Sequence, residues 1–127
     1  GSMGGWSTYC QSKLANILFT KELARKFADT EVTANCIHPG FVNTGFSRNN
    51  GLIGRLLMFL TWPVQRRDSK GAETIVWLAT SEAARKHNGD YLYNCKLGKL
   101  SKAAKRDEDA AKLWNLSEQM TNTTGIW

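Results

Sequence analysis

The apolar residues between positions 9 and 28 recur with the spacing of an amphipathic helix. Side chains three and four positions apart are apolar, namely Leu14, Ile17, Leu18, Leu23, Ala24 and Phe27. No Gly or Pro interrupts residues 9–29, and Thr8 followed by Gln11 has the form of a capping box. The pattern predicts a helix over residues 9–28, with Thr8 as the residue that caps its start.

A short β-strand is predicted directly after this helix. Residues 31–38 read EVTANCIH, a run rich in β-forming side chains that ends at Pro39 and Gly40. Pro39 ends the hydrogen-bonded ladder, and Gly40 allows a tight turn. In open α/β sheets, ligands lie beyond the carboxyl ends of strands, which is where this loop falls. Taken alone, the loop is more simply interpreted as an ordinary turn between a strand and a helix.

The remaining pattern predicts two further helices and a second strand. One helix covers residues 69–80, and its apolar side is formed by Ala72, Ile75, Val76 and Ala79. A strand follows at residues 91–94, then a basic link at residues 96–105. The last helix covers residues 107–120, with Met120 among its packing residues. We expect the two strands to be parallel, joined by a right-handed crossover and covered by the helices, in an α/β fold with more helix than strand.

Length and composition describe one folded unit. The chain has 127 residues, 42% of them hydrophobic, which suffices for a single domain with a core. Residues 1–3 are interpreted as a cloning remnant, and residues 4–127 as one truncated segment. Three cysteines without a CxxC pair favour a reducing compartment inside the cell, and two histidines provide no metal-ligand cluster. The net charge of +6 is concentrated in residues 96–106, which we interpret as a solvated face and not as a nucleic-acid site.

The strongest candidates for chemistry are Tyr9 and Lys13. On a helix these two residues lie one turn apart on the same face. An ammonium beside a phenol favours the phenolate, so such a pair is suited to exchange a proton with a carbonyl or an alcohol. A tyrosine and a lysine at this spacing also occur on many helices without such a role, with the lysine pointing to water.

Three segments together resemble one family. Residues 9–27 read YCQSKLANILFTKELARKF, residues 38–44 read HPGFVNT, and residues 90–97 read DYLYNCKL. In this order they resemble the C-terminal half of the short-chain dehydrogenase/reductase family, and within it the retinol-dehydrogenase-like branch. The resemblance covers nearly the whole chain after Gly4, and it implies a partial Rossmann-type α/β fold.

The resemblance implies a role for each matching residue. Tyr9 corresponds to the family's general acid and base, and Lys13 to the residue that favours its phenolate and binds the nicotinamide ribose. The implied cofactor-binding residues for NAD or NADP are Lys13, Pro39, Gly40, Val42 and Thr44. The family also implies a lipophilic alcohol or ketone as substrate, similar to a retinoid or steroid. It further implies a location in the cytoplasm or at the cytosolic or ER membrane surface.

An almost wholly apolar run at residues 52–62 corresponds to the family's variable lid over the substrate. It is shorter than the about 20 apolar residues that a membrane-spanning helix needs. Three interpretations remain open: a lid, a helix at the surface of an anionic membrane beside flanking arginines, or a helix packed in the core or against a second chain.

Other parts of a short-chain dehydrogenase site are missing from the sequence. No GxGxxG phosphate loop occurs. The family's catalytic Asn is absent, and neither Ser7 nor Ser12 takes the position of its catalytic Ser. We therefore expect this chain to be an incomplete half that neither binds the cofactor tightly nor turns over alcohols by itself.

Two classes of function remain. One is part of an NAD(P)-dependent oxidoreductase whose missing half lies elsewhere, and the other is a non-catalytic binding or oligomerisation module derived from that fold. The strand at residues 32–38 would have an unpaired edge, and a two-stranded sheet is marginal alone. We expect a homodimer, or an exchange of a strand or helix, that covers this edge and the helix face with Leu14, Ile17 and Leu18.

Overall fold

The computed structural model describes residues 2–38 and 68–123. In chain order the elements in these ranges are α1 (Ser2–Lys26), β1 (Cys36–Ile37), α2 (Asp68–Thr80), a 3₁₀ turn (Glu82–Ala84), β2 (Tyr91–Tyr93), β3 (Lys96–Leu97), a 3₁₀ turn (Ala103–Lys105) and α3 (Asp107–Thr121). The strands form one sheet in the order β1-β2-β3. The predicted α/β class, with more helix than strand, is therefore confirmed.

Helix α1 has 25 residues and begins earlier than the capping pattern predicted. Thr8 lies inside the helix, so the predicted capping box at its start is wrong. Each residue added to an existing helix gains a hydrogen bond, which lets α1 run back past Thr8 in spite of Gly5. Arg25 and Lys26 lie in the last turn, where cations complement the helix dipole. Neither α1 nor another helix in the described ranges is long and apolar enough to cross a membrane.

Strands β1 and β2 run parallel, as predicted. The pairing continues at both ends of β1, because the Cys36 amide donates to the Asp90 carbonyl at 2.9 Å and the His38 amide to the Leu92 carbonyl at 2.8 Å. The opposed pairs are Cys36 with Tyr91 and Ile37 with Leu92. Because side chains alternate along a strand, the residues that point to the same face as Cys36 are His38, Tyr91 and Tyr93.

Strand β1 is shorter than predicted because the residues before it form hydrogen bonds with a loop and not with a strand. The Ala34 amide donates to the Asn88 side chain at 3.0 Å, and the Gly89 amide donates to the Ala34 carbonyl at 2.7 Å. Gly89 has a φ of 74°, a left-handed conformation that suits glycine. The strand predicted over residues 32–38 is thus reduced to Cys36–Ile37.

Strand β3 lies in residues 96–105, where a basic link was predicted. It pairs antiparallel with β2, with Leu97 opposite Leu92. Asn94 and Cys95 join the two strands, and their φ values of 53° and 57° are those of a type I′ hairpin turn. Gly usually occupies the second position of such a turn, so Cys95 conceals the hairpin in the sequence. The prediction of a link is therefore wrong for the two residues of β3.

Helices α1 and α3 pack against each other. Trp114 of α3 is 4% exposed and stacks on Phe19 of α1, with ring centroids 5.1 Å apart. The Trp114 indole N–H donates to the Glu118 carboxylate at 2.7 Å, so the buried ring has its polar atom satisfied. Lys21 of α1 forms an ion pair with Asp107 at the start of α3 at 2.5 Å. One large aromatic side chain and one ion pair thus join the two helices.

The rest of the buried interior consists mainly of small side chains. Leu92 of β2 is fully buried, and Leu18 of α1 is 7% exposed. Among the residues whose burial is described, the other buried apolar ones, apart from Trp114, are Ala24, Ala84, Ala104 and Ala110. Alanine allows neighbouring backbones to approach closely, so few large residues suffice to fill the space between the described elements.

The buried side of helix α2 differs from the side that the apolar pattern predicted. Ile75 and Val76, on its predicted packing side, are 54% and 57% exposed, whereas Thr74 is 4% exposed. The Thr74 hydroxyl accepts a hydrogen bond from the Cys95 amide at 3.3 Å, which ties α2 to the β2–β3 turn. Met120 of α3, also predicted to pack, is 77% exposed. These packing predictions are wrong within the described ranges, since the buried position on α2 is Thr74 and the side chains of Ile75, Val76 and Met120 are exposed.

An ion pair within α1 involves a buried carboxylate. Arg25 donates to Glu22 through Nε at 2.9 Å and through Nη2 at 2.5 Å. The Glu22 side chain is 4% exposed, and that of Arg25 is 67% exposed. The hydrogen bonds from Arg25 lower the pKa of Glu22 in spite of the opposing effect of burial.

Gly98 lies directly against the ring of Tyr91, which makes it a site for a test of packing. A Cβ at Gly98 would lie 2.6 Å from the ring, whereas a Cβ at Gly5 meets nothing within 4 Å. We expect Gly98→Ala to lower the free energy of unfolding by about 1–3 kcal/mol, because the Tyr91 ring has to move. The matched control Gly5→Ala, inside α1, should raise it by roughly 0.5–1 kcal/mol. Urea unfolding followed by circular dichroism measures both, and effects of the same sign would contradict the close contact.

The pair of Glu22 and Arg25 should make stability sensitive to acid. A carboxyl group whose pKa is lowered by folding stabilises the fold above its unfolded pKa, and this contribution is lost as the pH falls through the folded pKa. We expect the free energy of unfolding to fall between about pH 5 and pH 3, and Glu22→Gln to flatten this fall. Glu82→Gln is the control, since Glu82 pairs with Arg85 at 3.1 Å on the surface, with side chains 82% and 78% exposed. An equally steep fall in Glu22→Gln and wild type would refute the assignment.

Candidate functional site

Tyr9 and Lys13 lie one turn apart on α1, where the spacing places them on the same face. The Lys13 ammonium is 5.3 Å from the centroid of the Tyr9 ring, within the range of a cation–π contact. Tyr9 is 40% exposed, so a substrate can reach this side chain from solvent. The structure therefore brings a phenol and a cation together at an accessible surface.

Ser12 lies between these two residues in sequence but is engaged with the helix itself. Its hydroxyl donates to the Tyr9 carbonyl at 2.7 Å. Serine hydroxyls inside helices commonly bond to the backbone of the preceding turn in this way. The contact agrees with the interpretation that Ser12 does not take the place of a catalytic serine.

Lys13 has the properties of a ligand for the ribose of a nicotinamide cofactor. Its ammonium carries three hydrogen-bond donors. Among residues 2–38 and 68–123, Lys13 forms no ion pair with a carboxylate, so these donors are not held by an acidic partner there. This part of the site fits the cofactor, whereas the sequence contains no GxGxxG loop for its pyrophosphate.

The other predicted cofactor-binding residues lie outside the described residues. They are Pro39, Gly40, Val42 and Thr44. The apolar run at residues 52–62, with its three interpretations, also lies outside them. The first described range, residues 2–38, ends at His38, directly before the predicted loop.

His38 belongs to a small aromatic cluster at the carboxyl end of β1. Its ring lies edge-on to Tyr93 at 5.3 Å and to Tyr91 at 6.2 Å between centroids. The cluster arises because alternate positions of β2 point to the same face, so both tyrosines meet His38. Sequence reasoning missed it, although the alternation Tyr-Leu-Tyr carried the signal. The cluster and the backbone bond from the His38 amide to the Leu92 carbonyl hold His38 against β2.

Two further groups with reactive side chains are unsuited to acid–base or nucleophilic roles. Burial raises the pKa of the Tyr91 hydroxyl, and burial also raises the pKa of the Cys36 thiol. The Cys36 Sγ lies 3.7 Å from the Asp90 carbonyl oxygen. Both groups therefore stay protonated at neutral pH.

A hydrogen-bonded clamp secures the base of β1. The Asn35 side chain donates to the His87 carbonyl at 2.8 Å and accepts from the Asp90 amide at 3.0 Å. His87 Nδ1 lies 2.6 Å from the Asp90 carboxylate, and the His87 ring packs 5.7 Å from Trp77. In the part of the chain that the structure describes, no group of three or more metal-ligating side chains occurs. The clamp is therefore interpreted as a structural element that holds the sheet.

Comparison with known proteins adds a family to this geometry. Residues 1–52, which include Tyr9 and Lys13, match the family described as short chain dehydrogenase. The chain is 40% identical over 115 residues to Retinol dehydrogenase 14 of Homo sapiens, a match that covers 88% of this chain and 34% of that protein. It is 38% identical over 109 residues to Retinol dehydrogenase 12 of Homo sapiens, covering 86% and 34%. It is 36% identical over 122 residues to Dehydrogenase/reductase SDR family member 13 of Bos taurus, covering 91% and 32%.

These relatives extend the likeness well beyond the segment that carries Tyr9 and Lys13. The chain spans about a third of the length of the curated relatives that it matches. The matches to these proteins are consistent with the α/β arrangement and with the position of Tyr9 and Lys13 on α1. The chain matches the short-chain dehydrogenase family over residues 1–52 and is similar, over most of its length, to retinol dehydrogenases.

Proposed function

We propose that this chain is part of an NAD(P)-dependent oxidoreductase in which Tyr9 exchanges the proton and Lys13 supports it. The observation that carries the proposal is the position of the Lys13 ammonium over the exposed Tyr9 ring, on one face of α1. The match to the short-chain dehydrogenase family supports it.

The proposed proton step uses only groups on α1. When an alcohol is oxidised, the Tyr9 oxygen takes the hydroxyl proton, and in the reverse direction the Tyr9 hydroxyl protonates the carbonyl oxygen. The positive charge of Lys13 stabilises the phenolate that the first direction needs. When bound, the nicotinamide cofactor supplies the acceptor or donor of the hydride. Lys13 would also donate hydrogen bonds to the ribose of this cofactor.

The rest of the cofactor site is proposed to come from other segments. The loop residues proposed to contact the nicotinamide side are Pro39, Gly40, Val42 and Thr44. The sequence has no GxGxxG loop and no serine at the catalytic position. The site for the pyrophosphate and the hydroxyl of the catalytic serine are therefore proposed to come from another segment. The fraction of each relative that the chain covers, about a third, is consistent with such a division. The chain alone is therefore expected to be inactive.

The proposed substrate is a lipophilic alcohol or ketone, similar to a retinoid or steroid. The names of the relatives, retinol dehydrogenases 14 and 12, support this class. An apolar lid formed by residues 52–62 would complement such a substrate. We also propose a location inside the cell, in the cytoplasm or at the cytosolic or ER membrane surface, which the three free cysteines support.

A chimera tests the catalytic assignment without requiring the isolated chain to be active. The chain replaces the matching segment of human Retinol dehydrogenase 14, to which it is 40% identical. We expect the chimera to oxidise retinol, and Tyr9→Phe to lower its kcat by about 10²–10⁴-fold, the range of general acid–base catalysis. The measurement is the rate of cofactor reduction at saturating retinol and cofactor.

Tyr93→Phe in the same chimera is the matched control. Tyr93 is 38% exposed, close to the 40% of Tyr9, but it lies on β2. This variant should keep the kcat of the unmodified chimera. A folded Tyr9→Phe chimera with unchanged kcat would rule out the proposed role of Tyr9. Tight cofactor binding and turnover by the isolated chain would instead show that the chain rebuilds a complete site.

A non-catalytic oligomerisation module is the second candidate, and exposed apolar side chains favour it. Ile75 and Val76 on α2 are more than half exposed. Among the described strands, β1 pairs with β2 alone, so its other edge is open to a further strand there. Leu18, which we expected a second copy to cover, is already buried within the single chain. We therefore propose that a homodimer, or an exchange of a strand or helix, uses the edge of β1 and the exposed side of α2.

Sedimentation velocity tests this second candidate. We expect the chain to sediment as a dimer at micromolar concentration, and Val76→Glu to shift it to a monomer, because a charge buried in an interface without a partner is costly. Leu116→Glu is the control, since Leu116 is 53% exposed on α3. A well-folded wild-type monomer at this concentration would count against the dimer and would leave the catalytic proposal untouched.

A further inference from the structure

Positive charge is concentrated in one segment that the site on α1 does not use. Residues 91–106 contain basic side chains and no acidic one. The basic residues are Lys96, Lys99, Lys102, Lys105 and Arg106. This basic segment runs from β3 through the second 3₁₀ turn to the start of α3.

The four lysines of the basic segment are exposed and lack acidic partners in the described part of the chain. Of the flanking carboxylates, Asp107 pairs with Lys21 at 2.5 Å and Asp109 with Arg106 of the segment itself at 2.5 Å. Asp90, on the other flank, lies against His87 at 2.6 Å. Three of the four flanking acidic groups are thus engaged with residues other than the four lysines, and the fourth, Glu108, is exposed beside the segment.

The lysines are held on an ordered scaffold. Ala104, in their midst, is 1% exposed, and its 3₁₀ turn packs against α1. The Ala104 amide donates to the Ser101 hydroxyl at 3.2 Å, and the Gly98 amide donates to the Tyr91 carbonyl at 2.7 Å. Less conformational entropy is therefore lost when the segment binds than with a flexible basic tail.

An exposed apolar side chain lies among these charges. Leu97 is 65% exposed, although its partner in the sheet, Leu92, is fully buried. Tyr93, opposite Lys96, is 38% exposed. Cations with an apolar side chain between them are typical of surfaces that meet an anionic bilayer, where lysines bind headgroups and apolar groups enter the interface. Single-stranded nucleic acid would instead favour a series of aromatic stacking platforms, whereas Tyr93 is the one exposed aromatic side chain of residues 91–106 and its ring already contacts His38.

We propose that the basic segment, residues 96–106, docks on an anionic lipid membrane surface, with Leu97 entering the headgroup region. The lysines bind lipid phosphates and carboxylates through their ammonium groups. The proposal is independent of the proposed catalytic role, because it involves neither Tyr9 nor Lys13.

Vesicle co-sedimentation of the full chain tests the proposal. We expect binding to phosphatidylcholine vesicles that contain phosphatidylserine, little binding to phosphatidylcholine alone, and weaker binding as salt is raised. Lys99→Gln with Lys102→Gln should lower the partition coefficient by roughly tenfold or more, since each lysine contributes independently near the surface. The matched control with the same charge change is Lys86→Gln with Lys112→Gln, two exposed lysines outside the segment. It should lower binding much less.

A second variant separates lipid from other polyanions. Leu97→Ser removes no charge, and it should weaken vesicle binding several-fold while leaving binding to a single-stranded DNA oligonucleotide unchanged. Three results would overturn the proposal: equal losses in the two double-lysine variants, no effect of Leu97→Ser on vesicles, or tighter binding to the oligonucleotide than to the vesicles. Circular dichroism of each variant checks that the fold is kept.

Discussion

The stack of Trp114 on Phe19 determines where α1 lies, and with it the position of the candidate site. Phe19 lies about 15 Å along the helix axis from Tyr9. The second half of α1 is held by α3 through the stack of the buried Trp114 on Phe19, which is 41% exposed, whereas Tyr9 and Lys13 project from the exposed first half. Because α1 is one continuous helix, the position of its second half against α3 also sets the position of its first half. A change at Trp114 therefore acts on the site without touching any of its groups.

The features that could be predicted from the sequence depend on residues close together along the chain. The proximity of Tyr9 and Lys13 follows from helical spacing alone. The bounds of α2 and α3 follow from the period of their apolar residues, within a residue of the structure. The parallel pairing of β1 with β2 follows from the helix between them in sequence.

The features that sequence reasoning missed depend on contacts between distant residues. The side of α2 that contacts the described residues carries Thr74, which is hydrogen-bonded to the Cys95 amide, and a polar contact of this kind leaves no periodic pattern. Strand β3 depends on a left-handed conformation at Cys95, a residue that rarely adopts it. The length of β1 depends on the loop that carries Gly89. In each case the deciding partner comes from another part of the chain.

The chemistry proposed for this chain is divided between segments. Its own α1 offers the proton carrier and the cation, while polarisation of the substrate oxygen and binding of the phosphates require groups from elsewhere. Removal of a single polarising hydrogen-bond donor lowers catalysis by roughly 10²–10³-fold in comparable enzymes. Under the proposed function, a chain that supplies only the pair on α1 would therefore retain a small fraction of the catalytic power of the whole site.

The side chain of Asn35 helps to give the two-residue strand β1 a single register. Its amide donates to one backbone group and accepts from another, and these belong to residues His87 and Asp90, three positions apart. A slip by one residue would lose both bonds and would turn Cys36 and Ile37 to opposite faces of the sheet. A strand this short cannot select its alignment through ladder bonds alone. The Asn35 amide thus adds to the bonds of Ala34, Cys36 and His38 in fixing the alignment. Its replacement by aspartate, which has no donor for the His87 carbonyl, would leave two alignments closer in energy.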